Sequence, residues 1–339
     1  MVTIKQLADL CGVSRGTVDR VLNNRGNVNP AKAAMIREMA EKMHYRPNPV
    51  GKALTARRKH PTVGIVMPSE GIAFFDDVVT AMQHAEEKYQ LFGLRVIWRL
   101  THGYDVAAQA AIIDELADEV NALIINPISD PCIVEKINAC IKKDIFVVAL
   151  NNDIEQADAH VYVGPDYRNG GETAGALLQL IGRGPYTCGV TVGSRRLLGH
   201  QQRLQGFTEA ITATGENHVA AVWEDNDDDV QAYEATQRML KAHPDINALF
   251  LASSGGTYGT CRAIRALHRE QDITIIAFDN TPPTREMVEQ HVIDAVLYQH
   301  PHQQGQKAMQ LVYDKLINGL QPNRQQYIMQ NEIRLLPNL

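Results

Sequence analysis

The residues best placed to do chemistry lie near the start of the chain, in IKQLADLCGVSRGTVDRVLNN, Ile4–Asn24. Ile4, Leu7, Ala8 and Leu10 recur at helical spacing, which predicts a short amphipathic helix. Gly12-Val13 breaks it, and Ser14 offers the side-chain oxygen expected at the N-cap of a second helix. In that helix Val18, Val21 and Leu22 face one way, while Arg15, Gly16, Thr17, Asp19 and Arg20 face elsewhere. Two short helices joined by a tight glycine turn form a helix-turn-helix, whose second helix enters the DNA major groove. An ordinary helical hairpin with solvated arginines would carry the same pattern.

Other chemistries find little support. Catalysis by a nucleophile needs a base partner in a recognisable context, and none is evident. His300-x-His302 and His200 are the histidines near expected cleft positions, and the H-x-H pair lacks a third ligand, so no metal site is expected. G-x-G-x-x-G is missing after the first strand, and no phosphate loop with a lysine occurs, so dinucleotide and NTPase readings fall. No cofactor is expected. Five cysteines, Cys11, Cys132, Cys140, Cys188 and Cys261, are scattered without a C-x-x-C pair, as in a reduced, cytosolic chain. MVTIKQLADL reads as no export signal, and no window approaches a membrane span.

The charge is divided unevenly. Residues 1–60 carry 12 Lys+Arg against 4 Asp+Glu, a net of +8, leaving −14 on the rest of a chain whose total is −6. A basic head on an acidic body suits nucleic-acid binding by the head. Asn29-Pro30 starts a third helix that ends near His44, and Tyr45-Arg46-Pro47-Asn48-Pro49 cannot continue it. A basic run, Val50–Lys59, joins head to body.

From Thr62 the period changes. Apolar runs at 63–68, 94–98, 122–126, 145–151 and 161–164 alternate with helical stretches, and the alternation restarts at 168 with strands at 187–193, 218–223, 247–253, 273–279 and 294–299. The helix after the strand at 187–193 is placed at 203–213, and a last helix at 303–318 precedes short strand-like ends. Fully apolar strands separated by helices imply parallel sheets covered on both faces. The expected fold is a small all-α helix-turn-helix head plus an α/β body of two doubly wound parallel-sheet subdomains, with a ligand cleft between them.

V-T-I-x-x-L-A-x-x-x-G-V-S-x-x-T-V-x-R-V-L-N, then Y-R-P-N and a leucine seven residues after the proline, resembles the lac repressor/galactose repressor family. The resemblance places Arg15, Gly16 and Arg20 against base edges, with Ser14, Thr17 and Asn23 among the DNA-contacting residues. Arginine suits base reading because its fork spans O6 and N7 of guanine. Gly16 has no side chain, so one family contact is absent. Asp19 replaces a usual serine and could accept from a cytosine, pair with Arg15 or repel a phosphate. In the family the linker folds as a hinge helix on DNA, and its leucine, matched by Leu54, wedges into the minor groove; a plain packing role for Leu54 is the alternative. Pro49 and Gly51 depart from the commoner pattern.

The body resembles the same family and the periplasmic sugar-binding proteins. The resemblance implies a head over 1–46, a hinge over 47–60 and an effector-binding and dimerisation part over 61–339. Its N-subdomain would hold about 61–164 and 300–328, its C-subdomain about 165–299 and 329–339, with chain crossings near 164, 299 and 328. The implied ligand residues are Phe74 and Phe75 as an aromatic pair, Asn151 and Asn152, Asn169, Arg203, Ser253, Asp279 and Gln299. Amides and carboxylates beside aromatic faces suit a hydroxyl-rich ligand. Ser253-Ser254 replace the family's longer Asn-Asp, and Arg195-Arg196 could meet a ligand phosphate or simply face solvent. The expected protein is a ligand-responsive regulator, by family habit a repressor, acting as a homodimer or higher assembly on a pseudo-palindromic operator. Its effector would be a sugar, polyol or sugar phosphate. The alternative functions are a solute-binding protein of a sugar transporter and a two-domain α/β enzyme.

Overall fold

The computed structural model describes residues 2–22, 28–45, 60–68, 70–158, 160–181 and 184–339. The head contains α1 Ile4–Cys11, α2 Arg15–Leu22 and α3 Pro30–Lys42. Each begins where a side chain supplies an acceptor. Thr3 and Gln6 satisfy each other's backbone N–H groups in a capping box. Ser14 Oγ accepts from the Thr17 N–H at 3.1 Å, and Asn29 Oδ1 from the Ala31 N–H at 2.9 Å. Gly12 closes α1 in the left-handed conformation, φ 62°. Leu7, Ala8, Cys11, Val18, Val21, Ile36 and Ala40 form the core of the head. Leu10, expected on the buried face, is 55% exposed. With about 100° between successive residues, it falls at the edge of a stripe centred on Leu7, Ala8 and Cys11. Asn23 and Leu54 lie outside the described residues.

The body consists of two sheets. β1 Thr62–Met67, β2 Arg95–Leu100, β3 Ala122–Ile125, β4 Phe146–Leu150, β5 Val161–Pro165 and β11 Gln326–Met329 form the first, in the order β11-β5-β4-β3-β1-β2. β6 Thr187–Val192, β7 His218–Glu224, β8 Ala248–Leu251, β9 Thr274–Phe278, β10 Ala295–Tyr298 and β12 Glu332–Arg334 form the second, in the order β12-β10-β9-β8-β6-β7. The two orders repeat one topology. Pairing is parallel except at the edge, where β12 runs antiparallel to β10. Helices α4 Ala73–Gln90, α5 Val106–Leu116, α6 Pro131–Lys142 and α12 Pro301–Tyr313 flank the first sheet, so its inner strands β1, β3, β4 and β5 are buried on both faces, while the edge strands β2 and β11 are partly exposed. α7 Tyr167–Ile181, α8 Leu198–Thr212, α9 Asp229–Ala242, α10 Thr257–Ala266 and α11 Pro282–Glu289 serve the second. The chain passes between the two lobes after β5, after β10, and again between β11 and β12.

α7 and α8 cross closely because glycines remove the side chains at their contact. A Cβ on Gly171 would stand 2.0 Å from the Arg203 carbonyl oxygen, which accounts for the second glycine of D-x-x-x-G-G. α8 starts at Leu198, five residues before the start that periodicity assigned. The segment GSRRLLGH carries no side-chain N-cap for that turn, and the N–H groups of Leu198 and Gly199 find their acceptors in the other lobe.

Candidate DNA-reading face and interlobe cleft

On α2 the valines at 18 and 21 are buried, while Ser14, Arg15, Gly16 and Arg20 are exposed and Thr17 is half-buried. The two arginines are thus presented on the helix face away from the core. Around Gly16 the space is open: the nearest atom to a built Cβ is Ser14 Oγ at 3.8 Å. Asp19 is half-buried and lies close enough to Tyr45, at the end of the head, for its charge to add to burial in raising the tyrosine hydroxyl's pKa.

In the body, the strand carboxyl ends carry a connected polar cluster. Asn151 follows β4 and Asp279 follows β9, equivalent places in the two lobes, and both adopt left-handed backbone conformations, φ 64° and 63°. Asn and Asp tolerate that conformation better than other side chains. Arg203 is 1% exposed. Its guanidinium lies 3.4 Å from the Phe278 ring centre and 4.6 Å from that of Tyr167, a cation held between two aromatic faces. One Nη donates to the Ala252 carbonyl and the other to Gln299 Oε1 at 3.3 Å. Gln299 Nε2 donates to Asp279 Oδ2 at 2.7 Å. Arg203 Nε and Asp279 Oδ1 remain without partners although buried. Burial pushes the Asp279 carboxyl up to about 7, against the pull of Arg203 and of the Gln299 hydrogen bonds.

Of the remaining expected ligand residues, the structure gathers some and separates others. Asn151 is committed on both amide atoms. Oδ1 accepts from Tyr167 Oη at 2.9 Å and Asn126 Nδ2 at 3.3 Å, and Nδ2 donates to Gln304 Oε1 at 3.2 Å. Asn152 Nδ2 donates to the Pro127 carbonyl at 2.7 Å, and its Oδ1 accepts from the Gly199 N–H at 2.8 Å. Ser253 is buried, with Oγ 3.4 Å from the Gly255 carbonyl. Phe74 and Phe75 meet edge-to-face at 5.1 Å within the apolar core of the first lobe. Asn169 is exposed on the first turn of α7, and no hydrogen bond ties its side chain to the cluster. Arg195 and Arg196 are exposed.

A cavity of about 830 Å³ opens between the lobes, with Glu70, His102 and Tyr104 on one side and Arg196, Glu224 and Asp227 on the other. Tyr104 Oη donates to Asp227 Oδ2 across it at 2.5 Å. His200 receives the Ser194 N–H on Nδ1 at 3.1 Å, and burial lowers its pKa to about 4, so the ring is neutral near pH 7. Asn126, Tyr167, Gln304, Tyr104 and Asp227 are absent from the sequence-based set. All but Gln304 follow strand carboxyl ends, the signal that could have found them. Among the described residues no group of three His, Cys, Asp or Glu side chains is arranged to hold a metal ion, and no helix is long and apolar enough to cross a membrane.

A helix-turn-helix head and a two-lobed body, with buried polar groups converging between the lobes, are the parts of a DNA-binding regulator with a small-molecule-binding body. The chain belongs to the periplasmic binding protein domain family, whose model matches residues 63–320, and residues 3–48 carry the head of the bacterial regulatory proteins of the lacI family. It is 26% identical over 291 residues to the probable HTH-type transcriptional repressor ExuR of Bacillus subtilis, covering 83% of this chain and 82% of that one. It is 24% identical over 276 residues to the D-ribose/D-allose-binding protein of Pseudomonas aeruginosa, covering 78% and 85%. The fold matches that of GanP, a glucose-galactose binding protein from Geobacillus stearothermophilus, at a TM-score of 0.75 and 24% identity, covering 82% of this chain and 99% of that one. Regulators and binding proteins share the body; the lacI-type head makes this chain a DNA-binding regulator.

Proposed function

We propose that this protein represses transcription from a pseudo-palindromic operator and that a small hydroxyl-rich ligand, a sugar, polyol or sugar phosphate, closed between its lobes, sets its operator affinity. The observation that carries the ligand side is the Arg203–Gln299–Asp279 cluster, buried yet keeping one donor and one acceptor unpartnered. Leaving such groups unsatisfied costs about 1–3 kcal/mol each, and a ligand with neighbouring hydroxyls offers both partners. Arg203, Asp279, Gln299 and Ser253 are the direct contacts in this reading. The names of the relatives, a transcriptional repressor and a D-ribose/D-allose-binding protein, agree with the two halves of the proposal.

On this reading the head spans 1–46, the linker 47–60 and the effector part 61–339, and the protein binds and responds without turnover in the cytoplasm. It acts as a homodimer because one eight-residue reading helix reaches few base pairs, and two-fold symmetry doubles the readout. Screening sugars, polyols and their phosphates for a thermal shift tests the ligand class, since a cleft ligand stabilises the folded state by mass action. The hit should also change binding to an operator fragment, and Arg203→Lys should lose the shift. A hit that stabilises the protein and leaves DNA affinity unaltered would sink the coupling.

A further inference from the structure

A helix leaves its first backbone N–H groups without partners inside the helix, so something else must accept from them. For α8 its own flank does not, since Leu197 at the N-cap has no side-chain acceptor. The other lobe does. Ser129, after β3, accepts from the Leu198 N–H on Oγ at 3.0 Å. Asn152, after β4, accepts from the Gly199 N–H on Oδ1 at 2.8 Å. The Asn152 amide is held in that orientation by its Nδ2 bond to the Pro127 carbonyl at 2.7 Å, and the Ser129 N–H donates back to the Arg196 carbonyl at 2.9 Å. Gly199 is packed tightly enough that a Cβ there would stand 2.6 Å from the Tyr167 ring. The caps therefore form only when the lobes are together, and the same helix carries His200 and Arg203.

We propose that Asn152 and Ser129 are positioning residues that hold the cleft closed by capping α8 from the opposite lobe, without touching the effector. Closure then stabilises a helix start that is uncapped when the lobes part. The effector acts on an equilibrium already biased by the protein's own contacts, and Arg203 is aligned by bonds made one turn earlier on α8. The importance for regulation rests on the effector reading above, while the test uses the protein alone. A failed ligand screen would leave the caps standing, and failed caps would leave the ligand site standing.

The experiment is hydrogen exchange of the full chain without added ligand, followed on peptides covering 195–202, with small-angle scattering on the same samples. Asn152→Ala or Ser129→Ala should each speed exchange at 198–199 about fivefold and the double variant about 25-fold, the effect expected for lost N-caps. The scattering profile should become more extended, while exchange in β8 and β9 stays as in the parent. Ser129→Thr keeps the hydroxyl acceptor at the same place and should keep exchange slow, which a general packing defect at 129 would not allow. Exchange at 198–199 unchanged in the double variant overturns the proposal. So does acceleration by Ser129→Ala that is matched in full by Ser129→Thr.

Discussion

Asp279 combines burial, an unpartnered oxygen and an arginine neighbour, and its protonation is where residue-level chemistry becomes measurable. Its carboxyl titrates near 7 in the folded chain, against about 3.9 unfolded. Between these values the folded state holds a proton that the unfolded state has released. Stability therefore falls as pH rises through about 4 to 7 and stays at the lower level above. Asp279→Asn removes the ionisation while keeping an acceptor for Gln299. It should raise Tm over the parent at pH 8, by a free energy of a few kcal/mol at most (~1.4 per pKa unit), with the gain shrinking towards pH 5. An equal gain at both pH values would show that Asp279 is not the titrating group. On the head, Arg20→Ala should cost about 1–3 kcal/mol on the operator and relax preference at one base pair. Equal losses on operator and random DNA would mark Arg20 as a phosphate contact. Asp19, whose role was open in the sequence, sits half-buried beside Tyr45, so packing within the head constrains where it can reach.

At the scale of elements, the crossing of α7 and α8 is a tight constraint on the second lobe. Gly171 meets the Arg203 carbonyl and Gly206 meets the Arg168 carbonyl, backbone against side-chain-free backbone. Gly171→Ala must push the helices apart and displace Arg203 with them. It should lower stability by about 1–3 kcal/mol, as overpacked cores do, and weaken any effector shift beyond the loss in Tm. A variant with parental Tm and parental effector response would show that the crossing relaxes freely. The caps of the head follow local rules: Thr3 with Gln6, Ser14 with Thr17, and Asn29 with Ala31 all lie within three residues of their partners. α8 is the contrasting case, with its cap partners 47 and 69 residues away in sequence.

For the whole molecule, a head of net charge +8 and a remainder of −14 place the electrostatic attraction for DNA on the first sixty residues. Removal of residues 1–60 should abolish DNA binding and leave the effector-induced thermal shift intact. With the head present, affinity should fall steeply with salt, with a log–log slope of about −0.9 per phosphate contact. DNA binding that survives the truncation would place the nucleic-acid site elsewhere. The two lobes meet through contacts that no single lobe can make: Tyr104 with Asp227, Asn151 with Tyr167, Asn152 with Gly199, and Ser129 with Leu198.

The amino-acid sequence by itself determined the class of fold and the character of the head. Helix caps, turn glycines and the alternation of apolar strands with helices act over a few residues, so their signals sit side by side in the chain. Its family resemblance also pointed to Arg203, Asp279 and Gln299, the last two directly after strand carboxyl ends, which in such sheets converge on one cleft. Tertiary structure alone decided what those groups do for one another. Only folding packs Arg203 between Phe278 and Tyr167, commits the amides of Asn151 and Asn152 to protein partners, buries Phe74 and Phe75 in the core, and leaves Asn169 on the surface. Folding likewise started α8 at Leu198, because its caps come from across the cleft. Hydrogen bonds between residues far apart in sequence leave no periodicity to read, and burial is a property of neighbours that the chain acquires only when its lobes come together.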